Sequence, residues 1–248
     1  MDYTKYNFAT SKTETINIDQ GLRSFMLQVY NYMAGALALT GLLAIIAASS
    51  ESFMSMQYVM QNGRAVGVSG LGYLIMFAPL AIALFFSFGM ARMSVENAKT
   101  LFWVYAATMG LSLSSIFLMY TGTSIARVFF ITASVFGGMS LYGYTTKRDL
   151  TAFGSFLIMG LFGIIMASVV NIFLKSNGVQ FAVSILSTLI FTGFTAYDTQ
   201  RLKQVYYEVG SNGEATSKAA LVGAFTLYLD FINLFMQLLR FFGDRKQD

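Results

Sequence analysis

The chain has 248 residues, 56% of them hydrophobic and only 11% charged, with a formal net charge of +4; an ordinary soluble domain carries about 25% charged residues. It contains no cysteine and no histidine, which excludes a disulfide framework, a thiolate nucleophile, a Ser-His triad and imidazole-based sensing near neutral pH. The basic residues are scattered over loop ends, a pattern that suits membrane topology and argues against a nucleic-acid partner.

In chain order, residues 1–21 form a polar tail of mixed charge, "MDYTKYNFATSKTETINIDQ" and Gly21. It lacks the basic start and short apolar core of a cleaved signal peptide, so the first span is expected to be a retained anchor. Residues 24–50, 65–91, 100–126, 128–146, 150–174 and 176–197 then contain no charge at all. A helix needs about 20 apolar residues to cross the hydrocarbon core, and each run is of that order. A seventh stretch, 219–242, qualifies but for Asp230 inside it and Arg240 near its end. The spans are placed at about 22–49, 71–91, 101–120, 127–146, 152–174, 178–205 and 217–242. One transmembrane domain over 22–243, with a short tail at 244–248, follows from the short loops. Pro79, the single proline, falls inside the second span. Gly137, Ser140 and Gly143 in the fourth span, and Gly160 and Gly163 in the fifth, read as small-residue surfaces for helix packing. No strands are expected.

Basic residues beside the spans set the orientation. With the N-terminus in the cytoplasm, the inner segments collect ten Lys and Arg (Lys5, Lys12, Arg23; Arg92, Lys99; Lys147, Arg148; Arg201, Lys203, Lys218), against three, Arg64, Arg127 and Lys175, on the first three outer loops. The last stretch is ambiguous, because the count alone prefers a hairpin and the length allows a crossing. A re-entrant hairpin keeps Arg240, Arg245 and Lys246 inside, whereas 24 residues are long enough for a full crossing.

A charged aspartate in mid-membrane costs roughly 2.5–3.5 kcal/mol on insertion scales, so Asp230 needs a reason. Helical steps from it reach Gly223, Thr226, Asn233 and Gln237, one small or polar stripe that faces a wet cavity or the bundle interior. Asp198 ends the sixth charge-free run, and the midpoint between the two aspartates falls on Glu214, at the end of the turn-like "GSNGE". An antiparallel hairpin bending there sets Asp198 and Asp230 at one height. Two carboxylates facing each other in low dielectric cannot both ionise cheaply, so they titrate as a unit. Blander readings stand beside this one: Asp198 on a solvated helix with Arg201 as surface partner, Asp230 as a protonated structural hydrogen-bonder, and Arg92 as a positive-inside anchor instead of a counter-ion to the pair.

The stretches "FTAYDTQRLK" and "LYLDFINLFMQLLRFFG", with "YGYTTKRDLTAFGSFLIMGLFGIIMASVVNIF" before them, resemble the bacterial branch of the Bax inhibitor-1, or transmembrane Bax inhibitor motif, family. The resemblance covers essentially the whole membrane region. It implies an all-α polytopic fold of seven transmembrane helices, the last central and surrounded by the other six, and hence a full crossing by the last stretch. It also implies a pH-sensitive calcium leak in a bacterial inner membrane, with no cofactor and calcium as the conducted ion. By motif, the proton-sharing pair falls on Asp198 and Asp230, and a latch arginine falls on Arg92. Thr226, Asn233 and Gln237 would line the pore beside them. Two carboxylates make too few ligands for tight calcium binding, which suits transient contact.

Two other classes compete. An intramembrane aspartyl protease also pairs aspartates on helices six and seven, but that family's Gly-x-Gly-Asp is replaced here by Leu227-Tyr228-Leu229-Asp230, and its Pro-Ala-Leu motif is absent. A regulator without transport, binding a membrane-bound protease or a stress-response partner through the N-terminal tail, is the other.

Overall fold

A computed structural model describes residues 3–61, 64–210 and 213–246. Helix α1 (Tyr3–Ser49) opens the chain, and its membrane-length part runs from Gln20 to Ser49. A short α2 (Glu51–Gln57) leads into β1 (Tyr58–Gln61) and β2 (Arg64–Val68), then α3 (Gly70–Gly89) and one 3-10 turn (Met90–Arg92). Next come α4 (Val95–Leu113), the single turn α5 (Ile116–Met119), α6 (Gly122–Thr145), α7 (Thr151–Leu174), α8 (Asn177–Val209) and α9 (Gly213–Phe242). Seven of these stretches are long and apolar enough to cross a membrane.

Serine and threonine hydroxyls start most of the spans, each accepting a backbone N–H of the first turn. Ser69 accepts from Gly72, Ser94 from Asn97, Thr121 from Ser124 and Ser176 from Val179. Ahead of α7, Asp149 accepts from the Thr151 hydroxyl and then from its N–H, and these bonds hold its carboxyl below the ordinary carboxylate range. Gly210, at φ 63°, closes α8 in a conformation that favours glycine.

The last helix is the core. Of its most apolar window 67% is buried, against 6–33% in the other six spans. Helices α1, α4, α6 and α8 supply most of the wall around α9, while α7 packs on α8 and α3 on α4. Phe86 is the side chain by which α3 reaches the centre, its ring 4.4 Å from that of Phe225. The helix is continuous from Gly213 to Phe242, so the last stretch is not a re-entrant hairpin. Basic-residue counting favours the hairpin because it weighs loop charge alone. Tight interior packing of Leu221, Leu227, Leu234 and Leu239, all fully buried, is what holds α9 in place.

The antiparallel β1–β2 ribbon corrects the expectation of no strands. It lies in the long loop between α1 and α3, outside the apolar spans. Its sequence, "YVMQNGRAVGV", carries Asn-Gly between two runs, a strong hairpin signal, although Asn62 and Gly63 themselves lie outside the described residues.

At the far end, the tail after α9 is pinned across the α5–α6 junction. Asp244 pairs with Arg127 and donates its N–H to the Ser124 hydroxyl, and the Lys246 N–H reaches Met119 O at 2.9 Å.

Candidate functional site

The site is built by the α8–α9 hairpin. Its turn falls between Gly210 and Gly213, and the Thr216 hydroxyl closes it by donating to Gly210 O at 2.9 Å. The register of the two helices is set where Leu202 fills the space beside Gly223, which any Cβ there would contest. One turn before Leu202 stands Asp198, and two turns after Gly223 stands Asp230. Their carboxyl groups meet in a side-chain hydrogen bond. Both residues are buried, with 7% and 6% of their surface exposed, so Asp198 is not the solvated surface residue of the blander reading. Arg201, on the exposed side of α8, is the basic group whose charge reaches Asp198.

A hydrogen bond between two carboxyls needs a proton on one of them. With both ionised, the buried Asp230 Oδ2 has no donor among the described residues, and leaving such an oxygen bare is costly. A proton shared between the two carboxyls would satisfy it. The arrangement therefore suits a unit of charge −1 that can gain or lose a proton. Among the described residues no three acidic or other metal-ligating groups cluster.

Surrounding hydrogen bonds hold α8 in position. Gln200 clamps the α6–α7 loop, accepting from Leu150 N and donating to Arg148 O, each at 2.8 Å. Thr199 shares a 2.9 Å bond with Ser140 of α6, and Ser140 a 2.5 Å bond with Tyr30 of α1. On α9, the Tyr228 hydroxyl meets that of Thr40 at 2.7 Å, and Thr40 lies 2.8 Å from Ala106 O of α4. The residues of these hydroxyl links were not foreseen as site neighbours. Hydroxyls cost a charge count nothing, and their partners lie up to 188 positions away.

The other expected residues fare differently. Thr226, Asn233 and Gln237 are half-buried on α9. Asn233 Nδ2 donates to Leu229 O of its own helix at 2.8 Å, and buried Gln237 Oε1 has no partner among the described residues. Arg92 is exposed, in the turn after α3. Among the described residues the ion pairs are Arg127–Asp244 and Lys218–Glu214, and neither includes it. The structure does not bring Arg92 to the pair, because α3 packs on the outer side of α4 and touches α9 through Phe86.

The family model described as "Inhibitor of apoptosis-promoting Bax1" matches residues 22–247. The chain belongs to the Bax inhibitor-1 family. Both Asp198 and Asp230 lie within the matched stretch. Among Bax inhibitor-1 relatives, an uncharacterized protein of Rickettsia prowazekii is 53% identical over 246 residues, which cover 99% of each chain. An uncharacterized protein of Caulobacter vibrioides is 48% identical over 94% of this chain and 93% of its own. A protein named inner membrane protein YbhL, from Escherichia coli, is 44% identical over 91% of this chain and 94% of its own. Together with the seven spans, these similarities make the chain a multi-pass membrane protein of the Bax inhibitor-1 family.

Proposed function

We propose that the protein is a cation leak channel of a bacterial inner membrane, passing calcium down its gradient under the control of the Asp198–Asp230 pair. The observation that carries this reading is the pair itself: two buried carboxyls, on two packed transmembrane helices, interacting with each other and with no other donor for Asp230 Oδ2 among the described residues. Buried ionisable groups inside a membrane bundle are expensive and mark ion pathways by default.

In the proposed cycle the shared proton joins α8 to α9. A change in proton count alters the charge across that joint, and α9, which touches α1, α4, α6 and α8, shifts against its wall. Calcium is the substrate, and carboxylate oxygens suit it. Two carboxylates hold it weakly enough to let it pass. Asn233 and Gln237, one and two turns beyond Asp230, offer amide oxygens along the same side of α9. Arg92 has no place in the gate as it stands here.

The test is calcium entry into liposomes that hold an indicator dye. Flux above that of protein-free liposomes, altered in Asp230→Asn, is the expected result. Folded protein that gives no flux above background contradicts the reading.

A further inference from the structure

On the side of the molecule where α1 enters the membrane, α1 and α6 part to leave a groove of about 510 Å³. Its wall is almost wholly apolar, with Leu27 and Leu141 on the rim 52% and 63% exposed. Gly137 lines the groove. Nothing lies within 4 Å of where a Cβ at Gly137 or its neighbour Gly138 would stand, so these glycines do not serve helix packing. The floor is closed by the bond of Tyr30 to Ser140 at 2.5 Å.

The groove is polar at one end only. Arg23, exposed, lines the end near the membrane boundary. Tyr144 lines the same end, and Lys203 Nζ lies 5.2 Å from its ring centre and donates to its backbone oxygen at 2.5 Å. From Arg23 to Tyr30, and from Tyr144 back to Gly137, is seven residues, about 10 Å along each helix. One exposed cation, Arg23, thus stands at the mouth of an apolar slot about 10 Å deep, while Lys203 is engaged by Tyr144.

We propose that this groove is a binding site for one anionic phospholipid, with the phosphate against Arg23 and one acyl chain lying over Gly137. The apolar wall accepts the chain, and the charge at the mouth selects the headgroup. Basic residues at a membrane surface favour anionic lipid by about 1 kcal/mol each, roughly fivefold.

Native mass spectrometry of the full chain in detergent, titrated with phosphatidylglycerol or phosphatidylethanolamine of the same acyl chains, tests the site. The wild type is expected to retain one phosphatidylglycerol about fivefold more tightly than phosphatidylethanolamine. Arg23→Gln is expected to lose that preference, and Gly137→Phe to lose retention of both lipids. Gly163→Phe, at another glycine with nothing within 4 Å, is expected to bind as the wild type does. Equal retention of the two lipids by the wild type overturns the proposal. So does unchanged binding by Gly137→Phe, or an equal loss in Gly163→Phe. Arg23→Gln changes an exposed rim residue, so it decides the matter even if Gly137→Phe fails to fold.

Discussion

Asp230 is the most costly residue on α9, because it is an acid buried inside a membrane helix. Its neighbours Phe231 and Tyr228 are buried, so it cannot turn away to water, and its one carboxyl partner is on α8. The pair was legible in the sequence because charge is rare there. A lone acid in a charge-free helix stands out, and a second acid placed evenly about a turn identifies its partner. The hydroxyl links were not legible, since Thr40 and Tyr228 look like any other residues of an apolar run. Their bond is nevertheless buried and specific. Tyr228→Phe removes it while keeping the ring contacts with Tyr105 and Phe102, at 5.6 and 6.3 Å. It is expected to cost about 0.5–1.5 kcal/mol, the worth of one such bond, read as a small drop in melting temperature in detergent. No drop would mean that Thr40 is fully satisfied by Ala106 O alone.

Between elements, small residues do two opposite jobs in α6. Gly143 brings α6 against the backbone of α8 at Ala196, where an added Cβ would meet main chain that cannot give way. Gly137, two turns earlier, meets nothing. Spacing alone made both look like packing surface, because a periodic pattern shows which residues share a face and not what that face meets. Gly143→Leu is expected to destabilise by at least the roughly 1–3 kcal/mol of ordinary overpacking, whereas Gly137→Ala is expected to be neutral, and thermal unfolding in detergent separates them. Equal effects would contradict the assigned helix contacts. Helix positions were readable from where charges are excluded, but the β1–β2 ribbon was passed over although Asn62-Gly63 announces it. For Arg92 the structure shows an exposed side chain that is in neither ion pair among the described residues. Arg92 stands on the same side of the membrane as the pair in the sequence reading, but side is not depth or neighbourhood, and α3 lies outside α4.

For the whole molecule, seven crossings place the two ends on opposite sides. With ten basic residues beside the spans on the N-terminal side and three on the first three opposite loops, the N-terminus is expected in the cytoplasm. A reporter active only outside the cytoplasm should therefore work when fused after Lys246 and fail when fused before Gln20; the reverse pattern would invert the topology. The described core is closed, with α9 sealed by four helices and the aspartates buried, so conduction requires the bundle to move. The proton on the pair is the proposed control of that movement. The most direct test is calcium flux into liposomes measured from about pH 6 to pH 8, the range open to a coupled buried pair, for the wild type, Asp198→Asn and Asp230→Asn. The account predicts a flux that changes with pH in the wild type and is flat in both variants. A pH profile that survives both substitutions would contradict it.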